Sequence, residues 1–222
     1  MRRTLPLLAA LCGCSTVHGV RPVGKGAVVV DASLGGPVTE LFGAPVPLPL
    51  TTLGATVGVT DTVDVHAAVH PSAIALFGLA AGDAGASVQL LAPTGARPRL
   101  MTDLTLVGAG GDVDPAGSEG GFRLFARPTL NASWDWGRQK RSTFYAGIGG
   151  FIQPFPTVHA LGTVAVGNRW GLSKRTTLTT QVEWIAPYAS SEMLAPHYYA
   201  PGNLGAISFQ LGLSVWAAGG AP

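Results

Sequence analysis

Residues 207–216 read Ile-Ser-Phe-Gln-Leu-Gly-Leu-Ser-Val-Trp. Ile207, Phe209, Leu211, Leu213 and Val215 fall on one side of an extended chain, and Ser208, Gln210, Gly212 and Ser214 on the other. A period of two is the signature of a β-strand with one apolar and one polar face. The pattern recurs upstream. Residues 176–186 set Leu178, Val182 and Trp184 against Thr179, Gln181 and Glu183. Residues 121–136 set Phe122, Leu124, Leu130, Ala132, Trp134 and Trp136 against Arg123, Arg127, Thr129, Asn131, Ser133 and Asp135. Residues 97–108 set Leu100, Leu104 and Leu106 against Arg99, Met101 and Asp103. Residues 63–70 set Val63, Val65, Ala67 and Val69 against Asp64, His66 and His70, and residues 27–35 set Val28, Val30 and Leu34 against Asp31 and Ser33. Weaker candidates cover 50–59, 84–91, 142–152 and 158–169.

These segments make roughly ten strands, many near the ~9–11 residues that cross a bilayer at a tilt. The reading is all-β: an antiparallel up-and-down barrel of about ten strands, within a range of roughly 8–12. Short polar turns at 60–62, 93–96, 137–140 and 171–174 alternate with longer connections at 36–49, 71–83, 109–120, 153–157 and 187–203. Numbering the strands in order places every short turn at one end, with both termini, and every long loop at the other. This organisation resembles small outer-membrane barrels as a class, over about residues 27–217. The resemblance implies short periplasmic turns and external loops.

Composition agrees. Charged residues make up 12 % of the chain, about half the usual share, and mean hydropathy is +0.34. No internal apolar run approaches the ~20 residues of a spanning helix; the longest, 73–81, reads AIALFGLAA. The stretch 71–83 is therefore too apolar for an ordinary external loop and reads as a strand extension or a segment folded into the barrel mouth. The 31 glycines and 17 prolines argue against long helices. A formal charge of +2 without a basic run gives nucleic acid no footprint.

At the N-terminus, Arg2 and Arg3 precede the apolar stretch LPLLAAL at 5–11, the layout of a secretory signal. Leu11-Cys12-Gly13-Cys14 resembles the lipobox of bacterial lipoproteins. The resemblance implies cleavage before Cys14, acyl chains (palmitate among them) on that residue, and anchorage to the outer membrane from the periplasmic side. On this reading 1–13 are signal peptide, 14–26 a lipidated tether, 27–217 the barrel and 218–222 a tail. The partners implied are outer-membrane lipid and the export, lipoprotein-processing and barrel-insertion machineries. The two cysteines leave no disulfide framework in the mature chain.

Trp134, Trp136 and Trp170 lie beside short turns and would form one aromatic girdle, with Trp184, Tyr188, Tyr198 and Tyr199 at the other interface. Trp216 ends the last strand, where an aromatic insertion signal is expected, but AAGGAP follows it.

If the apolar faces meet lipid, the lumen collects Asp31, Asp64, His66, Asp103, Arg123, Arg127, Gln181, Glu183 and Gln210, with His70 and Arg99. Two readings follow: a narrow porin-like pore lined by Arg123, Arg127 and carboxylates, or a polar filling that pairs buried charges. His66 and His70 share a face but lie about 13 Å apart at ~3.3 Å per residue, so one ion would need help from another strand. No cofactor, metal or catalytic residue is assigned. The alternatives are a lipid-tethered soluble barrel of lipocalin type, with apolar side chains inside around a hydrophobic ligand, and an omptin-like outer-membrane hydrolase. The second would draw on Asp83, Asp112, Asp114, Glu119, Glu192 and His197 in external loops.

Overall fold

The structure is a computed structural model that describes residues 18–41, 44–111, 121–137, 140–154, 158–191 and 198–219. Cys14, the signal residues 1–13 and the end of the tail lie outside these residues. Eleven strands follow in chain order: β1 (Val28–Leu41), β2 (Ala44–Pro47), β3 (Leu50–Gly58), β4 (Val63–Val69), β5 (Ala80–Leu91), β6 (Arg99–Gly111), β7 (Gly121–Trp136), β8 (Ser142–Gln153), β9 (His159–Gly171), β10 (Thr176–Ser190) and β11 (Leu204–Ala218). A short helix, α1 (Pro71–Phe77), stands between β4 and β5.

Each strand pairs antiparallel with its neighbours in the order β1-β3-β4-β5-β6-β7-β8-β9-β10-β11, and β11 pairs back onto β1, from Val30 opposite Val215 to Pro37 opposite Ser208. β2 pairs only with the far end of β1. The ring is therefore a closed up-and-down barrel of ten strands, as the alternation predicts. Turns β3–β4, β5–β6, β7–β8 and β9–β10 share one end, here the turn end, and the other connections share the loop end.

The side chains take the sides that the pattern assigns. On β11, Ser208 is fully buried and Gln210 nearly so, while Phe209 and Leu211 are about half exposed. The interior is polar through most of its height and becomes apolar towards the loop end. There Leu50, Val107, Ala109, Phe125, Phe151, Leu161, Ile185, Ala186 and Ala206 form one buried cluster, with Phe125 and Phe151 stacked at 5.1 Å.

Four expectations change. The apolar stretch 71–83 is a strand extension only from Ala80, where β5 begins; before it, Pro71 opens α1 and Gly78 ends it in a left-handed conformation (φ 67°). Asp83 therefore sits in the wall, buried, and not in an external loop. Of the expected tether 14–26, the described residues 18–26 are folded onto the barrel, with Val20 fully buried inside it and Lys25 and Gly26 exposed. Trp216 does not end the last strand, which runs on to Ala218; sharing the parity of Ser208 and Gln210, it points inward and packs on Ala27 and Val29. Tyr198 packs against the apolar cluster instead of joining a girdle.

Candidate functional site

The lumen is filled from the turn end by the chain's own N-terminal segment. Val20 is fully buried against Tyr145 and Ala165. Polar wall residues hold the segment's backbone. Asn131 Nδ2 donates to the carbonyls of His18 (3.1 Å) and Gly19 (3.2 Å), and Ser133 Oγ donates to that of Val20 (2.8 Å). The Val23 amide donates to both oxygens of Asp64, at 3.3 and 3.2 Å. Gly58 carries no side chain because a Cβ there would strike the Gly24 carbonyl. The segment then leaves by way of Gly26, whose amide donates to the Gly58 carbonyl at 2.8 Å, and continues into β1.

Around this segment the inward side chains form paired groups. Near the turn end, Arg99 meets Asp135 through two nitrogens (3.3 and 2.9 Å), Thr143 Oγ1 donates to Asp135 at 2.9 Å, and Arg21 of the segment approaches Asp135 at 3.8 Å. Asp31 accepts from Thr56 and Ser214. Across the lumen, Arg127 Nη2 donates to both oxygens of Glu183 at 3.1 and 3.0 Å. Tyr145 donates to Gln181 (2.8 Å), and Gln181 donates in turn to Gln210 (2.9 Å). Gly167 makes room for the Tyr145 ring, which a Cβ would overlap.

The histidines occupy a second group. The rings of His18 and His66 stack at 3.9 Å, 10° from parallel. His66 Nε2 shares a hydrogen bond with Thr105 Oγ1 (3.1 Å), and its Nδ1 stands 3.7 Å from Asp103. Asp103 accepts from Ser87 (2.8 Å) and Thr105 (2.7 Å). His70 Nε2 donates to Asp83 at 2.7 Å, with both side chains buried.

Asp31, Asp64, His66, Asp103, Arg127, Gln181, Glu183 and Gln210 each make one of the contacts above. Arg123 stands apart on the inward face near the loop end, half-buried opposite Ala109. A cavity of about 50 Å³ remains, lined among others by His18, Arg21, Asp64, His66, Arg169 and Trp216. One water needs ~10–15 Å³ of such space, so it has room for a few waters and not for an organic ligand. The lipocalin-type arrangement needs apolar side chains inside, and below the loop-end cluster the wall is the reverse. Of the residues considered for a hydrolase, Asp83 is buried against His70, and Asp112, Asp114, Glu119, Glu192 and His197 lie outside the described residues. At the loop end Tyr199 donates to Glu40 at 3.2 Å, and the charge of that carboxylate raises the phenol pKa.

Two features were missed in the sequence: the N-terminal segment and the apolar cluster. The cluster has a signal. Val107, Ala109, Phe125 and Ile185 sit on the polar parity of their strands, so alternation lapses towards the loop end.

No protein family matches the chain, and no curated protein does. Among solved structures, the translocator domain of autotransporter NalP from Neisseria meningitidis is 10 % identical at a TM-score of 0.47, covering 89 % of this chain and 90 % of that one. The NanC porin is 10 % identical at 0.45 (85 % and 99 % covered), and the CymD monoaromatic hydrocarbon channel 8 % at 0.44 (95 % and 97 %). At these values the likeness carries no argument, and the barrel rests on its own strand pairing.

Proposed function

We propose that this chain is an outer-membrane β-barrel with a structural or narrow passive-transport role and no catalysis, its lumen closed by its own N-terminal segment. One observation carries the reading: charged side chains are inside and large apolar ones outside. Leu104, Leu106, Ile148, Phe209 and Leu211 stand 46–61 % exposed on the wall. In water such a surface exceeds the few hundred Å² that a soluble monomer tolerates. In lipid it is the expected exterior, and a closed ring leaves no strand edge unpaired there. The aromatic residues support the same placement. Trp136 and Trp170 meet edge to face at 5.4 Å on the outside near the turn end. Trp170 pairs with Leu178 on β10, and Tyr188, largely exposed, lies ten residues further along that strand. Ten residues span roughly 33 Å along a strand. At a ~40° tilt that is about 25 Å along the axis, the height of an outer-membrane apolar band.

The Leu11–Cys14 motif supports lipidation at Cys14 as part of the same reading. The four residue steps from Cys14 to His18 reach at most about 14 Å. His66, on which His18 stacks, lies three residues beyond the start of β4, or about 10 Å. An acyl anchor in the periplasmic leaflet is therefore compatible with His18 at its seat. Export, lipoprotein-processing and barrel-insertion machineries are the partners this route requires.

The test is extraction of membranes from cells exporting a Cys14→Ala variant through a substitute signal. Retention in the outer membrane after carbonate, with faster migration on an unheated gel, is the expected result. Recovery as a soluble periplasmic protein would overturn the membrane reading and leave the lipid as sole anchor.

A further inference from the structure

We infer that His18, His66 and Asp83 form a binding site for a divalent transition ion of the zinc class, which ties the N-terminal segment to the barrel wall. The three residues come from the segment, β4 and β5. One ligand atom from each lies within 4.8 Å of the other two. Donors around a tetrahedral zinc, at bonds of ~2.0–2.1 Å, stand about 3.3 Å apart. Closing the set therefore needs the ligand atoms to draw together by an ångström or more.

Two further observations point to a ligand. His66 and Asp83 are more than nine-tenths buried, and each keeps one polar atom without a hydrogen-bond partner: Nδ1 of His66 and Oδ1 of Asp83. Buried polar atoms of this kind are normally satisfied. Electrostatics adds the second. Among the described residues, the ion-pair partners of the buried carboxylates of Asp83 and Asp103 are histidines alone. A dication held by His18, His66 and Asp83 would pair with the Asp83 carboxylate directly.

The outer contacts match those around metal ligands. A ligating imidazole is usually oriented through its other nitrogen, and a ligating carboxylate is itself hydrogen-bonded. His66 has Thr105 on Nε2, and Thr105 in turn donates to Asp103. Asp83 has His70 on Oδ2. Imidazole and carboxylate donors together suit Zn²⁺ and its neighbours. Three protein ligands leave the fourth position to water.

One adjustment is required. A histidine binds through a lone pair in its ring plane, so two parallel stacked rings cannot share an ion. The His18 ring must turn out of the stack. Its backbone is held by Asn131 through the carbonyl, so the adjustment is one of the side-chain torsions.

The inference does not rest on the membrane reading, and its test is made on untagged full-length protein folded in detergent. Equilibrium dialysis against Zn²⁺ should give one ion per chain. Bound Co²⁺ should show visible absorption altered by His18→Ala. Affinity should fall about 100-fold in His18→Ala and in Asp83→Asn, and stay unchanged in His159→Ala, whose histidine lies at the loop end of β9. Faster migration on an unheated gel establishes that each variant is folded, and His18→Ala alters only the described segment's first residue. Zinc binding that is absent, or equal in folded wild type and folded His18→Ala, would overturn the inference.

Discussion

Glu183 is fully buried, and both of its oxygens accept from the Arg127 guanidinium. Removing one partner of such a pair leaves a charge in a poor solvent, at a cost of about 3–5 kcal/mol. Arg127→Met should lower stability by that order. The double variant Arg127→Met/Glu183→Leu should recover most of the loss, because no charge is then stranded. Urea unfolding followed by tryptophan fluorescence checks both; a double variant as unstable as the single one would mean that packing, not charge, dominates there. The sequence identified both residues as inward from strand parity, but not as partners. β7 and β10 are not neighbours in the ring, so the pair forms across the lumen, and alternation fixes a side chain's face without saying what stands opposite. His70 and Asp83 are also partners that the pattern leaves unmatched, here between neighbouring segments of the wall. His70 was read as inward, while Asp83 was lost in an apolar stretch whose first half is α1.

The ten wall strands were legible as elements because each carries its own period of two. What the pattern could not show is the element without a period. Residues 18–26 form neither strand nor helix, and their hold on the wall is through backbone carbonyls that any residue type supplies. Among its side chains, Val20 is the fully buried apolar one, wedged against Tyr145 and Ala165, while Arg21 and His18 add contacts to Asp135 and His66. Val20→Arg should therefore displace the segment and leave the strands intact. In planar bilayers, the wild-type chain is expected to conduct little, and Val20→Arg to conduct measurably more, with unchanged β-sheet circular dichroism. Equal conductance in the two would mean that the apolar cluster at the loop end closes the lumen by itself. α1 shows the opposite limit: Pro71 and Gly78 bracket it as start and stop signals, yet seven residues are too few for a helical period to stand out.

For the whole molecule, the decisive property is which face of the barrel meets solvent, and this too follows from parity once the ring is closed. Ile148 lies mid-wall on β8, 61 % exposed. In a bilayer Ile148→Lys should cost about 2–4 kcal/mol, whereas an exposed substitution on a soluble protein changes stability by about 0.5 kcal/mol or less. Unfolding from lipid vesicles distinguishes the two. Single-tryptophan variants in brominated lipid give an independent check: Trp136 and Trp170 should be quenched, and Trp216, turned inward against Ala27 and Val29, should not.

The lodging of residues 18–26 inside the ring also sets a timetable. Their anchors lie far along the chain: Asn131 is 113 positions after His18, and the seam joins Asp31 to Ser214 across 183. The first residues of the domain to leave the ribosome thus acquire their contacts among the last. Contacts so distant in sequence are slow to form. A segment enclosed by a ring must also be in place before the ring shuts, or thread in afterwards through its open end. Pairing of β1 with β11 is then both the final stitch and the point after which the N-terminus is committed. A chain cut short before β11 would leave its N-terminus without a closed wall to lodge in.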